Sequence, residues 1–191
     1  MASAFGHAAV ALIGGKIFAA QKMPARFWWL AVLCAVLPDF DAAGFALGIP
    51  YESFWGHRGF THSIVFAIAI GFAVVALFFK SEDDATRTRL IIFFTLVTLS
   101  HALLDMLTSG GHGVALFAPF DNARLFFPWR PIEVSPISIS AFFGPWGLRV
   151  LASEFLWIGL PMLALLGVVL IARRRSREQG TGNGERGIGK E

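Results

Sequence analysis

The chain has 191 residues, of which 55% are hydrophobic and only 15% are charged, and its mean hydropathy is +0.64. This composition excludes an ordinary soluble domain and indicates a membrane protein. The formal net charge of +3 does not indicate a nucleic-acid partner, because the basic residues form short clusters beside apolar segments.

Apolar segments along the chain predict an all-α, polytopic transmembrane bundle with four to five membrane-embedded segments. The first, residues 8–20, is short and contains two adjacent glycines, so we leave open whether it is tilted, re-entrant or partly interfacial. The next, residues 27–49, is interrupted by Pro-Asp-Phe-Asp at 38–41, which predicts a broken or re-entrant segment. Three further spans follow at 60–79, 90–107 and 154–172, the last with an expected bend at Pro161.

The basic residues predict the topology. We assign residues 1–172 to one domain and 173–191 to a basic, then Gly-rich tail that we expect to be disordered. The positive-inside rule makes this tail cytoplasmic, so the histidines and intramembrane aspartates lie towards the outer face of the cytoplasmic membrane. Alternating spans place nine basic residues on the cytoplasmic side, which are Lys22, Arg26, Lys80, Arg87, Arg89, Arg173, Arg174, Arg175 and Arg177.

Two ionisable residues occur within one predicted span. His101 and Asp105 are four residues apart, so both side chains project from one helix face and can bind a common ion. An ionisable pair inside a membrane span favours a functional site. The alternative is a hydrogen-bonded pair that holds two helices together.

Further candidate ligands lie at the ends of other spans. His57 and His62 flank the entry to the third span, although both could be interfacial histidines with solvated tips. Asp39 and Asp41 would be costly in hydrocarbon unless they neutralise a cation or an arginine such as Arg58. The first segment adds one more histidine if it runs inward from the outer face. The candidate metal ligands are therefore His7, Asp39, His57, His62, His101 and Asp105.

Imidazole and carboxylate ligands without cysteine indicate one or two divalent ions, with zinc as the first choice and manganese as the second. Such an ion would make hydrolysis the expected reaction. Asp41 or Asp39 could then orient the attacking water, and Arg58 could hold a substrate anion. His112, in a Gly-rich loop, could be a ligand, a general acid or a bystander.

Four motifs occur in a specific order. They are Gly6-His7, Leu-Pro-Asp-Phe-Asp at 37–41, His-Arg-Gly-Phe-Thr-His-Ser at 57–63, and Ser-His-Ala-Leu-Leu-Asp-Met-Leu-Thr at 100–108. Through them the chain strongly resembles the YdjM-like family of metal-dependent hydrolases of bacterial inner membranes. That family is distantly similar to zinc-dependent phospholipase C, which implies phosphoester hydrolysis. The second His-x-x-x-Glu pair of those soluble enzymes is not evident, since Leu116 stands four residues after His112.

The expected function is therefore a membrane-bound metal-dependent hydrolase that cleaves a phosphoester of a lipid or an envelope metabolite. The expected partners are membrane lipids and this substrate. The aromatic loop at 113–150 is either a lid over the site or an interfacial belt, and we favour the belt. Two other functions stay open: a transporter or metal-handling protein, and a structural protein whose polar cluster only joins helices.

Overall fold

The computed structural model describes residues 1–19 and 21–185, and these residues form an all-α bundle, as the sequence predicts. In these ranges the only β-type pairing is two isolated bridges. The α-helices are α1 (Ala4–Phe18), α2 (Ala25–Val36), α3 (Ile64–Phe78), α4 (Asp84–Met106), α5 (Ile139–Phe142), α6 (Pro145–Glu154) and α7 (Leu160–Glu185).

Three helical stretches are long and apolar enough to cross a membrane: Ala25–Leu47, Asp84–Met106 and Pro145–Ser176. The shorter helices α1 and α3 are also apolar. This set agrees with the prediction of four to five membrane-embedded segments.

Helix α1 is continuous through Gly14 and Gly15, so the glycines do not break it. Two glycines of α1, Gly6 and Gly15, instead allow close packing against other helices. A Cβ at Gly15 would lie 2.6 Å from the Trp28 ring, and one at Gly6 would lie 2.9 Å from the Glu154 carboxyl carbon. Small residues therefore let α2 and α6 approach α1 closely.

The Pro-Asp-Phe-Asp sequence changes the type of helix. Helix α2 ends at Val36, and a 3₁₀ helix continues from it over Leu37–Leu47. Pro38 has no N–H, so in the i→i+3 pattern of a 3₁₀ helix nothing from residue 38 can bond the Ala35 carbonyl. The side chain of His101 donates to this carbonyl instead. This hydrogen bond from His101 connects the end of α2 to α4.

An aromatic core lies at the end of the bundle where α1 and α3 finish and α2 and α4 begin. The Phe93 ring stands 4.7 Å from Phe18 and 4.8 Å from Phe27, between ring centroids. Phe79 and Phe94 complete the buried group. The candidate ligands lie towards the other end, so apolar packing fixes the helices while leaving that end to polar residues.

The last helices run almost without interruption from Pro145 to Glu185, with a π-helical turn at Phe155–Gly159. This turn immediately precedes Pro161, where the sequence predicts a bend, and proline cannot continue the regular hydrogen-bond pattern. Helix α7 includes 173–185 of the segment that we assigned to the tail. Residues 186–191 lie outside the described residues, and the tail's disorder stays a prediction for them.

Helix α7 is fixed to α1 at the C-terminal end of α1. The Arg173 guanidinium donates to the backbone carbonyls of Ala19 at 3.0 Å, Lys16 at 3.3 Å and Ile17. Carbonyls in the last turn of a helix have no partner within the helix, so this arginine caps α1 from another helix.

Candidate metal centre

Four side chains from three segments meet at one point. Asp39 lies on the 3₁₀ helix, His62 precedes α3, and His101 and Asp105 lie on α4. One potential ligand atom from each lies within 4.8 Å of the others. His62, His101 and Asp105 are buried, whereas the Asp39 side chain is 11% exposed. We call these four residues the cluster.

The distances within the cluster fit one small cation. His62 Nε2 lies 3.1 Å from His101 Nε2, and Asp39 Oδ1 lies 3.3 Å from His101 Nε2. Asp105 Oδ2 is 3.7 Å from His62 Nε2. Around a tetrahedral ion with bonds of about 2.0–2.1 Å, neighbouring ligand atoms stand about 3.3–3.4 Å apart. The cluster therefore needs only small movements to close around such an ion.

Hydrogen bonds orient both cluster histidines. His101 Nδ1 donates to the Ala35 carbonyl at 2.7 Å, which leaves the Nε2 lone pair pointing into the cluster. His62 Nδ1 lies 3.2 Å from Asp41 Oδ2, which favours the same tautomer. A cation held between the two Nε2 atoms would contact both rings.

Several buried polar atoms around the cluster have no hydrogen-bond partner among the described residues. They include both carboxylate oxygens of Asp39 and both ring nitrogens of His7. Each such atom costs about 1–3 kcal/mol if it stays unpaired. The Asp39 oxygens lie in the cluster, where a divalent cation would suit the donor set, whereas the His7 nitrogens lie beside it.

Asp41 organises the residues beside the cluster. Its carboxylate accepts from Thr61 Oγ1 at 2.5 Å and from the Arg58 backbone N–H at 3.1 Å. His57 Nδ1 lies 2.6 Å from Asp41 Oδ1. Asp41, His57 and His62 form a second group with metal-ligand spacing. Because short hydrogen bonds already join them, we interpret them as the support that positions His62.

The Arg58 side chain is fully buried and acts as a crosslink. Its Nε lies 2.9 Å from Asp105 Oδ2, and its two other nitrogens donate to the Gly110 carbonyl and to Thr108 Oγ1, each at 3.0 Å. Arg58 pairs through its side chain with Asp105, and it contacts Asp41 through its backbone. Its guanidinium has no solvent-exposed surface from which to hold a substrate anion in this conformation.

The other two histidines occupy different environments. The His7 ring stacks on His101 with centroids 3.7 Å apart, and His7 Nε2 lies 3.5 Å from Asp105 Oδ1. It therefore borders the cluster without belonging to the set of four. His112 lies at the surface, where its Nδ1 is 2.9 Å from Glu52 Oε1, and it is not part of either metal-ligand group.

Glu154 contributes to the site region, a role that its place at the beginning of the last predicted span does not reveal. This buried carboxylate accepts from Ser3 Oγ at 2.6 Å and from the Ser3 backbone N–H. Ser3 caps α1, which carries His7, so Glu154 fixes the position of that helix. Its signal in the sequence is an acidic residue at the edge of a strongly apolar segment.

Comparison with known proteins places the chain among bacterial membrane proteins. The sequence profile of a family described as YdjM inner membrane protein matches residues 1–176. The chain is also similar to the inner membrane protein YbcI of Escherichia coli (strain K12), with 37% identity over 174 residues that cover 91% of this chain and 100% of the relative. No solved structure matches the chain. The distant similarity to zinc-dependent phospholipase C stays a prediction.

Proposed function

Since this chain belongs to the YdjM family of inner membrane proteins, we propose that it is a membrane-bound hydrolase that depends on a divalent cation bound by Asp39, His62, His101 and Asp105. The observation that carries the proposal is the pair of imidazole Nε2 atoms 3.1 Å apart, with Asp39 Oδ1 3.3 Å from one of them. Zinc is the first choice for this donor set and manganese the second.

One ion would need only small movements of the cluster residues. A second ion at Asp41, His57 and His62 would have to displace the hydrogen bonds of Asp41, including the 2.6 Å contact with His57. We therefore propose a single ion, with Asp41 and His57 as its supporting residues.

A bound divalent cation would supply Lewis-acid chemistry, since it lowers the pKa of water and polarises a phosphoester oxygen. Asp39 has the least buried side chain of the cluster, with 11% exposed, although both of its carboxylate oxygens are buried. One of its oxygens can bind the ion while the other accepts a hydrogen bond from the attacking water. Arg58 acts by holding Asp105, whose negative charge it balances at 2.9 Å.

We propose a phosphoester of a lipid or an envelope metabolite as the substrate, and the outer face of the cytoplasmic membrane as the site of reaction. The location in a membrane supports a lipid or an envelope metabolite as the substrate. Exposed aromatic residues such as Phe120, Trp129 and Phe143 between α4 and α6 suit a membrane interface. The clusters of basic residues at the opposite end of the bundle support the outer face of the membrane as the site of reaction.

Metal content tests the proposal directly. Detergent-purified protein should contain about one equivalent of zinc or manganese by plasma mass spectrometry, since the four donors form one small-ion site. His101→Ala and Asp39→Asn should lose the metal. His112→Ala is the matched control, because His112 lies at the surface beside Glu52, and it should keep the metal. A wild-type protein that stays metal-free after reconstitution would contradict the proposal.

A structural role is the second candidate, and the Arg58 side chain favours it. This arginine already balances Asp105 and joins the segment before α3 to the residues after α4. In that case a chelator would leave the free energy of unfolding unchanged. If the cluster binds an ion, the chelator should destabilise the wild type but not His101→Ala.

A further inference from the structure

A groove between α1 and α4 opens sideways from the bundle. Its volume is about 320 Å³, and its lining is apolar except for Ser100. A second cavity of about 220 Å³ adjoins it and shares Phe18 as a wall. Polar side chains line this second cavity, namely Gln21, Thr86 and Arg89. An apolar groove thus leads into a polar pocket near the C-terminal end of α1.

The length of the groove matches one half of a bilayer. Its wall on α1 runs from Val10 to Phe18, a rise of about 12 Å along a helix. One leaflet contributes about 15 Å of hydrocarbon. Because the groove faces sideways and its walls are apolar, a lipid acyl chain can lie in it with its head group at the polar pocket.

Arg89 gives the pocket its charge. Its guanidinium lies over the Phe18 ring, 5.8 Å from the ring centroid, where the two cavities meet. Arg26 and Arg87 are paired with the carboxylates of Glu82 and Asp84, whereas no salt bridge among the described residues joins a carboxylate to Arg89. Arg89 is therefore available to an external anion, and phosphate oxygens suit a guanidinium well.

We propose that this groove and pocket bind one anionic phospholipid, with an acyl chain between α1 and α4 and the phosphate at Arg89. The polar pocket lies at the end of the bundle opposite the cluster, and the groove extends from it as far as Ser100. It is independent of the proposed hydrolase function, since it uses none of the metal ligands and requires no chemistry.

The test uses native mass spectrometry of the detergent-purified full chain with equal amounts of phosphatidylglycerol and phosphatidylcholine of the same acyl length. The wild type should retain one phosphatidylglycerol in preference to phosphatidylcholine. Gly14→Leu should fill the groove, because a Cβ at Gly14 meets no atom within 4 Å and the new side chain projects into open space. Gly167→Leu is the matched control, since Gly167 on α7 is equally open.

The head-group contact is tested by Arg89→Gln, with Arg130→Gln as control. Arg130 is also exposed and lies over a phenylalanine ring, that of Phe126 at 4.7 Å. Gly14→Leu and Arg89→Gln should each weaken the phosphatidylglycerol adduct about tenfold, while both controls keep it. Circular dichroism should show the same helix content in all variants.

Three results would overturn the proposal. The first is equal retention of the two lipids by the wild type. The second is retention of phosphatidylglycerol by Gly14→Leu or by Arg89→Gln at the wild-type level. The third is an equal loss in Arg89→Gln and Arg130→Gln, which would show general charge attraction without a defined site.

Discussion

At the scale of single residues, Gly111 combines a left-handed backbone conformation with a close approach to Arg58. Its φ is +92°, and a Cβ there would lie 2.5 Å from a guanidinium nitrogen of Arg58. We expect Gly111→Ala to lower the free energy of unfolding in detergent by about 1–3 kcal/mol, from backbone strain and displacement of Arg58. Chemical denaturation measures this, with Gly14→Ala as the unstrained control. Equal stability of Gly111→Ala and wild type would mean that Arg58 is free to move.

Asp41 and Asp39 should differ in their effect on metal binding. Asp41 acts through His62, so Asp41→Asn is expected to weaken metal affinity about 10- to 100-fold without abolishing it. Asp39→Asn removes a proposed ligand and should reduce metal content to background. Competition with a chelator gives both affinities, and Glu52→Gln, which alters only the surface pair with His112, is the control. A loss as complete in Asp41→Asn as in Asp39→Asn would make Asp41 a ligand.

At the residue scale, geometry is predictable where the information is local, whereas metal binding stays a prediction. The spacing of His101 and Asp105 places both on one face of α4, and the structure has both in the cluster. The pairing of Arg58 with Asp105 joins residues that are distant in sequence, so no helical period reveals it. The contact of Glu154 with Ser3 spans 151 positions and is equally hidden.

At the scale of elements, Pro38 connects the end of α2 to the geometry of the cluster. Pro38→Ala restores an N–H that can compete with His101 for the Ala35 carbonyl. We expect about tenfold weaker metal binding with little change in helix content, because His101 would lose its fixed orientation. Calorimetric metal titration beside circular dichroism measures both. Unchanged affinity would show that packing alone orients His101.

The elements show which patterns the sequence leaves ambiguous. From the sequence, the adjacent glycines of α1 are compatible with a break in the helix or with a packing face. The Trp28 ring beside Gly15 shows that Gly15 belongs to a packing face. The interruption at Pro38 was predicted, but its continuation as a 3₁₀ helix depends on contacts with α4. The long spans were predictable because the hydropathy of a segment depends on its own residues and not on its contacts with other segments.

At the scale of the whole molecule, the proposed orientation can be measured by cysteine labelling. The single native cysteine, Cys34, is buried, so the wild type should react little with an impermeant maleimide. Asp121→Cys, at the cluster end, should be labelled in intact cells. Lys80→Cys, at the other end, should be labelled only after the membrane is opened. The reverse pattern would place the cluster at the cytoplasmic face.

Helix α1 is held at both ends by the last part of the chain. Glu154 accepts from its N-cap Ser3, and Arg173 caps its final carbonyls. During synthesis α1 is made long before either partner exists. The side of the cluster that His7 borders can therefore take its final shape only after the last helix has inserted. This order ties maturation of the centre to completion of the chain and leaves truncated products without a properly seated first helix.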